Sequence, residues 1–296
     1  MNFLRKIQYS QYWNIGFCEQ APMDLIRDKH LKSIRWMKHP FRDRWFADPF
    51  ILKANNNDIV VFVEECSIEN PKGIICELVI DRRTMRLKKR YVMLELDTHL
   101  SYPAILHYQG RVYVYPENGA SGKLNVYEYD ENNHRLINPV CILEEAVADA
   151  TIVKSNGCYY MSATKYPNTQ EGAFLYWSEH CFDRFRQVGG EAFQIGRHCS
   201  RQGGDWIIVN EKLYRPAQDC VKRYGSALSI MEMSNISECD KERFCFSISP
   251  NYYRYPLGVH TINFKDNLCV VDGYGYYYPL LGRLYYNSLI RAIIRR

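Results

Sequence analysis

The chain has 296 residues, 47% of them hydrophobic, which is enough apolar side chain for one large core and makes a single domain over residues 1–296 the simplest expectation. A formal charge of +5 is only mildly basic, and no Lys/Arg block is long enough to serve as a nucleic-acid arm; Arg82-Arg83 and Lys88-Lys89-Arg90 read as a solvated outer edge. The eleven cysteines contain no CxxC pair and the eight histidines show no ligand spacing with them, so no disulfide framework, metal or cofactor is expected.

The start, Met1-Asn2-Phe3-Leu4-Arg5-Lys6, lacks the apolar core of a secretory signal, and no run approaches a membrane span. A cytoplasmic, reducing location is therefore expected, with thiols such as Cys76, Cys158 and Cys269 acting as small core residues. Tyr12 to Phe17 forms an apolar, strand-like piece ahead of five repeats. The first repeat opens at Phe46-Ala47-Asp48-Pro49-Phe50-Ile51-Leu52, turns at Asn55-Asn56-Asn57-Asp58, and returns through Ile59 to Val63 to end on Glu64-Glu65. This pattern is a β-hairpin with acids at both ends of one edge. An Asp at the mouth of an apolar strand is poorly placed for burial unless something there uses it. Gly73 to Ile80 and Arg90 to Leu94 follow as an outer pair of strands.

The pattern recurs at Ser101-Tyr102-Pro103-Ala104, Ala148-Asp149-Ala150-Thr151, Gly203-Gly204-Asp205-Trp206 and Gly258-Val259-His260-Thr261. Each start leads through a polar turn into a second apolar run, the later runs reaching Glu117, Arg215 with Gln218-Asp219, and Asp272. The anchors Asp48, Tyr102, Asp149, Gly204 and His260 are 54, 47, 55 and 56 positions apart. A period of about 50 residues made of short strands and polar turns is a propeller signature. The expected fold is all-β: a five-bladed β-propeller with four antiparallel strands per blade, its last blade completed by the strand near Trp13, which removes a free edge. Most of the 24 tyrosines suit the wedges between twisted sheets. Residues 284–296 read as a short, basic, amphipathic C-terminal helix. Leu289, Ile290, Ile293 and Ile294 recur at helical spacing among Arg291, Arg295 and Arg296. Such a helix either packs on the propeller or touches an anionic membrane, which would make the protein peripheral to the inner membrane face.

In a propeller the starts of the innermost strands converge around the axis. Asp48, Tyr102, Asp149, Arg201 or Asp205, and His260 are thus expected near one mouth, with His99 just before the second anchor. The ends of the second strands return there and add Glu64-Glu65, Glu117, Arg215, Gln218, Asp219 and Asp272. Carboxylates, arginines and histidines in one funnel with Tyr and Trp nearby is the chemistry of a sugar site: carboxylates bind hydroxyls and supply acid and base, and aromatic faces stack on the sugar. The structural alternative is that acids at strand starts satisfy backbone amides and seal the channel. Acids lining the mouth also disfavour a nucleic-acid partner.

The set Phe46-Ala47-Asp48-Pro49-Phe50, His99-Leu100-Ser101-Tyr102-Pro103, Pro116-Glu117, Asp149-Ala150-Thr151-Ile152, Tyr214-Arg215-Pro216-Ala217-Gln218-Asp219, Tyr224-Gly225 and Gly258-Val259-His260-Thr261 resembles one propeller in particular. It is the propeller at the N-terminus of plant glucosamine inositolphosphorylceramide transferases, which also occurs as stand-alone bacterial proteins; the likeness runs from Trp13 to Asp272. The plant proteins carry a separate glycosyltransferase domain, and no counterpart of it is expected from these residues. More widely the chain resembles five-bladed glycosidases of the arabinanase and levansucrase type. That resemblance implies Asp48 as base or nucleophile, Asp149 as the group that tunes or orients, and Glu117 as acid, with Glu64 and Glu65 as competing positions. Glu65, His99, Tyr102, Arg201, Arg215, Gln218, Asp219, His260 and Asp272 are the expected substrate-binding residues. Two functions follow as expectations. One is hydrolysis or transfer of a glycosyl unit in cell-surface glycan or glycolipid assembly. The other is a non-catalytic saccharide-binding propeller or a scaffold for a glycosyltransferase.

Overall fold

The computed structural model describes residues 12–237, 242–250, 252–280 and 282–283. Among them, five antiparallel sheets succeed one another along the chain as the blades of a β-propeller. Blade 1 consists of Arg44–Ala54, Asp58–Ser67, Gly73–Asp81 and Leu87–Leu94. Blade 2 consists of Ser101–Tyr108, Arg111–Glu117, Leu124–Asp130 and Arg135–Leu143. Blade 3 uses Val147–Ser155, Cys158–Lys165 and Gly172–Ser178, and its outer edge is split between Arg186–Gln187 and Gln194–Ile195. Blade 4 has Ile207–Val209, Lys212–Asp219, Ala227–Met233 and Arg243–Ile248. Blade 5 joins the two ends of the chain: Ile262–Lys265 and Leu268–Gly275 are completed by Tyr12–Glu19 and Arg35–Trp36. Trp13 lies opposite Tyr274 and Ile15 opposite Asp272, so the expected closure by the strand near Trp13 is observed.

Burial explains why the inner strands read as unbroken apolar runs. Residues 46–52 and 59–66 are buried throughout, because each inner hairpin is covered by neighbouring blades on both faces. Every junction between consecutive blades holds its own apolar cluster. Phe62 and Leu52 meet Val114 and Tyr127 between blades 1 and 2, and Tyr102 and Tyr115 meet Met161 and Tyr176 between blades 2 and 3. Leu175 meets Trp206 and Met233, Ile230 meets Ile262 and Val271, and Phe17 and Val270 meet Phe46 and Val61. The fifth of these contacts joins blade 5 to blade 1 and closes the ring.

Between the closing strand and blade 1 lies a short helix, Pro22–Asp28, which starts on proline and buries Leu25 in the junction between blades 4 and 5. The expected C-terminal helix and its membrane contact lie outside the described residues. Among the described residues no helix is long and apolar enough to cross a membrane.

Candidate functional site

Three inner strands begin with the same distortion. Strand register slips between Ala47 and Phe50, between Ser101 and Ala104, and between Ala148 and Thr151. Within each slip one residue is left-handed: Asp48 at φ 50°, Tyr102 at 46° and Asp149 at 48°. The fourth anchor, Gly204, has φ 140°, and a Cβ there would lie 1.9 Å from the Ile262 carbonyl oxygen. Such backbone costs a non-glycine residue about 1–3 kcal/mol and persists only where the surroundings impose it. Here the distortion turns an amide out of the strand ladder, and a buried amide needs an acceptor.

Each anchor finds one in a side chain. Asp48 N–H donates to Asp272 Oδ2 (3.3 Å), Tyr102 N–H to Asp48 Oδ2 (3.2 Å), and Asp149 N–H to Glu117 Oε2 (3.0 Å). Gly204 N–H donates to the Tyr102 hydroxyl (2.9 Å) and His260 N–H to Asp272 Oδ1 (2.9 Å). The first four of these bonds run between different blades. The acids at the strand ends therefore stitch the blades together, which is the structural role weighed from sequence.

Two side-chain networks stand on this frame. In the first, the Thr261 hydroxyl donates to Asp48 Oδ1 (2.7 Å) and His260 Nδ1 contacts Asp272 Oδ2 (2.5 Å). The His260 ring stacks on Trp13, centroids 4.0 Å apart. The close approach needs Gly225: its φ is 60°, and a Cβ would meet His260 at 2.9 Å and Trp13 at 3.1 Å. Burial alone would lower the His260 pKa, but Asp272 and Asp48 outweigh it and hold the imidazole at about 9, so it is a cation at neutrality. Burial and the nearby carboxylates of Asp149 and Asp272 push Asp48 up to about 6 against the pull of His260. Asp48, His260 and Asp272 offer ligand atoms within 4.8 Å of one another. Both carboxylates accept hydrogen bonds from the surrounding frame, Asp272 from the Asp48, His260 and Thr261 amides and Asp48 from the Thr261 hydroxyl and the Tyr102 amide.

In the second network Arg201 binds two acids. Its Nε contacts Asp149 Oδ2 (2.5 Å) and its Nη2 contacts Glu117 Oε2 (3.4 Å). Gln218 Nε2 donates to Asp149 Oδ2 (2.9 Å), the Tyr166 hydroxyl donates to Glu117 Oε1, and Arg201 Nη1 donates to Thr169 (3.0 Å). Asp149 is 1% exposed; burial, with Glu117 beside it, raises its pKa to about 7 in spite of Arg201. Above the networks, Glu64 contacts His99 Nε2 (3.2 Å), and that hydrogen bond raises the imidazole pKa. Tyr166 and Tyr224 are 42% and 39% exposed, and Tyr224 lies under the Arg201 guanidinium, 5.3 Å from it.

Of the residues expected at the mouth, Asp48, His99, Glu117, Asp149, Arg201, Gln218, His260 and Asp272 are brought together. Tyr102 is there as a fully buried seal, its hydroxyl bonded to Thr151 and to the Gly204 amide. Arg201 rather than Asp205 holds the blade 4 position: Asp205 lies past the distortion, where its amide donates to Asn263.

Three residues are not brought to the mouth. Glu65 pairs with Arg44 and Arg90, and Arg215, fully buried, binds Glu242 and the Cys199 and Ser200 carbonyls. Asp219 caps a turn at Val221. Strand alternation is the physical reason: neighbours in a strand point to opposite faces, so Glu64 faces the mouth and Glu65 does not, and Gln218 faces it while Arg215 and Asp219 do not. Tyr166, Thr169 and Thr261 were missed as site residues, since tyrosine and threonine are common in strands for packing alone. Tyr224 and Trp13 were legible only as members of a motif and of a closing strand.

A five-bladed propeller whose axial mouth is floored by cross-blade carboxylates defines the class. Within that class the chain belongs to the family described as glucosamine inositolphosphorylceramide transferase 1, N-terminal, whose model matches residues 31–246. The transferase of that name from Arabidopsis thaliana is 24% identical over 200 residues, 66% of this chain and 26% of the relative. The one from Oryza sativa subsp. indica is 22% identical over 215 residues, 67% of this chain and 27% of the relative. The chain thus spans about a quarter of the length of these curated relatives. Among solved structures, a β-xylosidase superposes with a TM-score of 0.55 at 12% identity, covering 78% of this chain and 92% of that one. A β-xylosidase/α-arabinofuranosidase from a compost microbial metagenome gives 0.56 at 13%, covering 77% and 84%. The Cellvibrio cellulosa α-L-arabinanase gives 0.51 at 14%, covering 68% and 77%. At such identities the likeness concerns the fold.

Proposed function

We propose that the mouth binds a saccharide and that this chain acts as a recognition module for a glycosyl unit in cell-surface glycan or glycolipid assembly. The observation that carries the reading is the division of labour at the mouth. The acids beneath are buried and internally bonded, whereas His99, Tyr166 and Tyr224 stand exposed on top of them, each held by or against a charged partner. Aromatic faces fixed in this way present a C–H-stacking surface to a sugar ring, with the His99 imidazole and the edge of the Arg201 guanidinium at hand for hydroxyls. The names of the plant relatives and of the solved neighbours, all concerned with glycosyl groups, support the same ligand class.

The second reading makes the chain itself the enzyme, with Asp48 as base or nucleophile, Glu117 as acid and Asp149 as the tuning group. The raised pKa values of Asp48 and Asp149 favour it, because acids poised near neutrality suit proton transfer. Against it, Asp48, Glu117 and Asp149 are 5%, 4% and 1% exposed and spend their oxygens on amides, Thr261 and Arg201.

A screen of saccharides and sugar nucleotides, followed by product analysis on every hit, separates the readings. A recognition module binds without turnover, and Tyr224→Ala weakens that binding by about tenfold. Turnover abolished by Asp48→Asn with binding retained transfers the case to the enzyme. Absence of any saccharide binding by the wild-type chain overturns both.

A further inference from the structure

A second cavity lies far from the axial mouth in the architecture of the ring, on the outer rim where blades 4 and 5 meet. The outermost strand of blade 5, Arg35–Trp36, is two residues long and pairs only with Gly16 and Phe17. It leaves uncovered a space of about 570 Å³ between residues 29–36 and the end of the blade 4 outer strand. That volume suits a small organic ligand.

Its lining is one-sided in charge. Lys29, Lys32 and Arg254 line the cavity, Ser247 and Ser249 add hydroxyls, and no carboxylate lines it among the described residues. Lys32 is paired with Asp24 at 3.2 Å, but Lys29 and Arg254 have no carboxylate partner among the described residues. Both are exposed. The apolar wall is rigid: Trp36 sits so close to Gly16 that a Cβ there would approach its ring to 2.7 Å, and Tyr252 packs edge-on against it at 5.2 Å. The axial mouth has the opposite balance, with Asp48, Glu64, Glu117, Asp149 and Asp272 set against Arg201, His99 and His260. An anion is therefore repelled at the mouth and attracted at the rim.

We propose that this rim cavity is a binding site for a phosphate ester, the phosphoryl oxygens held by Lys29, Arg254 and the two serines while the ester's carbon skeleton lies against Trp36. Cations and hydroxyls lining one cavity beside a flat apolar wall match that pairing of a charged head with a carbon body. The same chemistry is offered by a soluble phosphate ester and by a phospholipid headgroup. The site is independent of saccharide binding at the mouth.

The test uses the full chain with two probes, glycerol 1-phosphate by titration calorimetry and phosphatidylcholine vesicles containing phosphatidylglycerol by flotation. The variant is Lys29→Asn with Arg254→Gln. Asn tolerates the left-handed backbone of residue 29, at φ 58°, so the fold is kept. A control, Lys53→Gln with Lys123→Gln, removes the same charge from exposed positions elsewhere. The site is supported if wild type and control bind a probe at low salt and the rim variant binds it at least tenfold more weakly. Binding of the soluble ester identifies a free ligand, and binding of vesicles alone identifies a headgroup. If neither probe binds, or if rim variant and control behave alike, the proposal is overturned. Asp48→Asn leaves rim binding unchanged, so failure of the rim site and failure of the saccharide reading are told apart.

Discussion

Arg201→Met tests whether the mouth is a buried electrostatic frame or a solvated surface. The side chain is 12% exposed and joins Asp149 to Glu117, which are themselves 2% and 3% exposed at the side chain. Removing one partner of a buried ion pair costs about 3–5 kcal/mol, because the remaining charge is left without compensation, whereas a solvated pair is worth about 0–1 kcal/mol. Methionine fills the space without replacing the charge. The variant has an escape, since Asp149 already sits near pKa 7 with Arg201 present and rises further without it. A raised acid pKa means that the folded state keeps its proton, so the variant suffers little at low pH and progressively more as pH rises. At pH 5.5 Asp149 is protonated in both proteins, and the loss is that of its hydrogen bonds and of the 3.4 Å contact with Glu117, about 1–2 kcal/mol. Above pH 7 the loss grows by about 1.4 kcal/mol for each pH unit over which the variant holds one proton that wild type has released. Urea unfolding at pH 5.5, 7.0 and 8.5 measures it, and Asp149→Asn added to Arg201→Met should restore stability at pH 8.5. A loss below about 1 kcal/mol that does not change with pH refutes the buried frame.

Wild-type stability carries its own pH signature. Asp48, Asp149 and His260 all have folded pKa values raised above their unfolded ones, at about 6, 7 and 9. A raised pKa contributes stability in full below the unfolded value and loses it as pH climbs from there through the folded one, so these groups together make the protein progressively less stable from about pH 4 to about pH 9, as urea midpoints across that range will show. Asp48→Asn removes the most acidic part of the decline. Gly204→Ala forces a side chain into the Ile262 carbonyl at φ 140°, costing about 3 kcal/mol or more, and a thermal melt unchanged from wild type would contradict the distortion described there.

The propeller was legible because it is repetitive. Five starts of the same form, spaced by about one blade, announce an architecture in which every blade must solve the same packing problem. The closing role of Trp13 was legible for a related reason: a strand-like piece with no partner of its own has to fill the edge left by the last repeat. Side-chain direction was not legible. Alternation along a strand decides between Glu64 and Glu65, and the slip at Asp48 changes the local phase, so adjacent acids cannot be told apart from the sequence. Arg215 illustrates the same gap, lying in a motif that reaches the mouth while its own side chain turns to Glu242. Tyr166 and Thr169 come from a loop of blade 3, and only the fold carries them to Glu117 and Arg201.

The distortion at the strand starts changes what an acid there means. A bulge that turns an amide out of the ladder creates a demand for an acceptor in every blade that has one, and Asp48, Glu117 and Asp272 meet that demand before any ligand arrives. Acids at these positions are thus required by closure of the ring and do not by themselves argue for catalysis. The groups that closure does not require are better guides. The side chains of His99, Tyr166 and Tyr224 serve no anchor amide, His99 Nδ1 accepting instead from the Gly73 amide (2.9 Å), yet each lies against the charged frame and is exposed. A frame that fixes exposed side chains which ring closure does not call for is what a recognition surface requires, and under the proposed saccharide reading those three residues are the ones a sugar would meet.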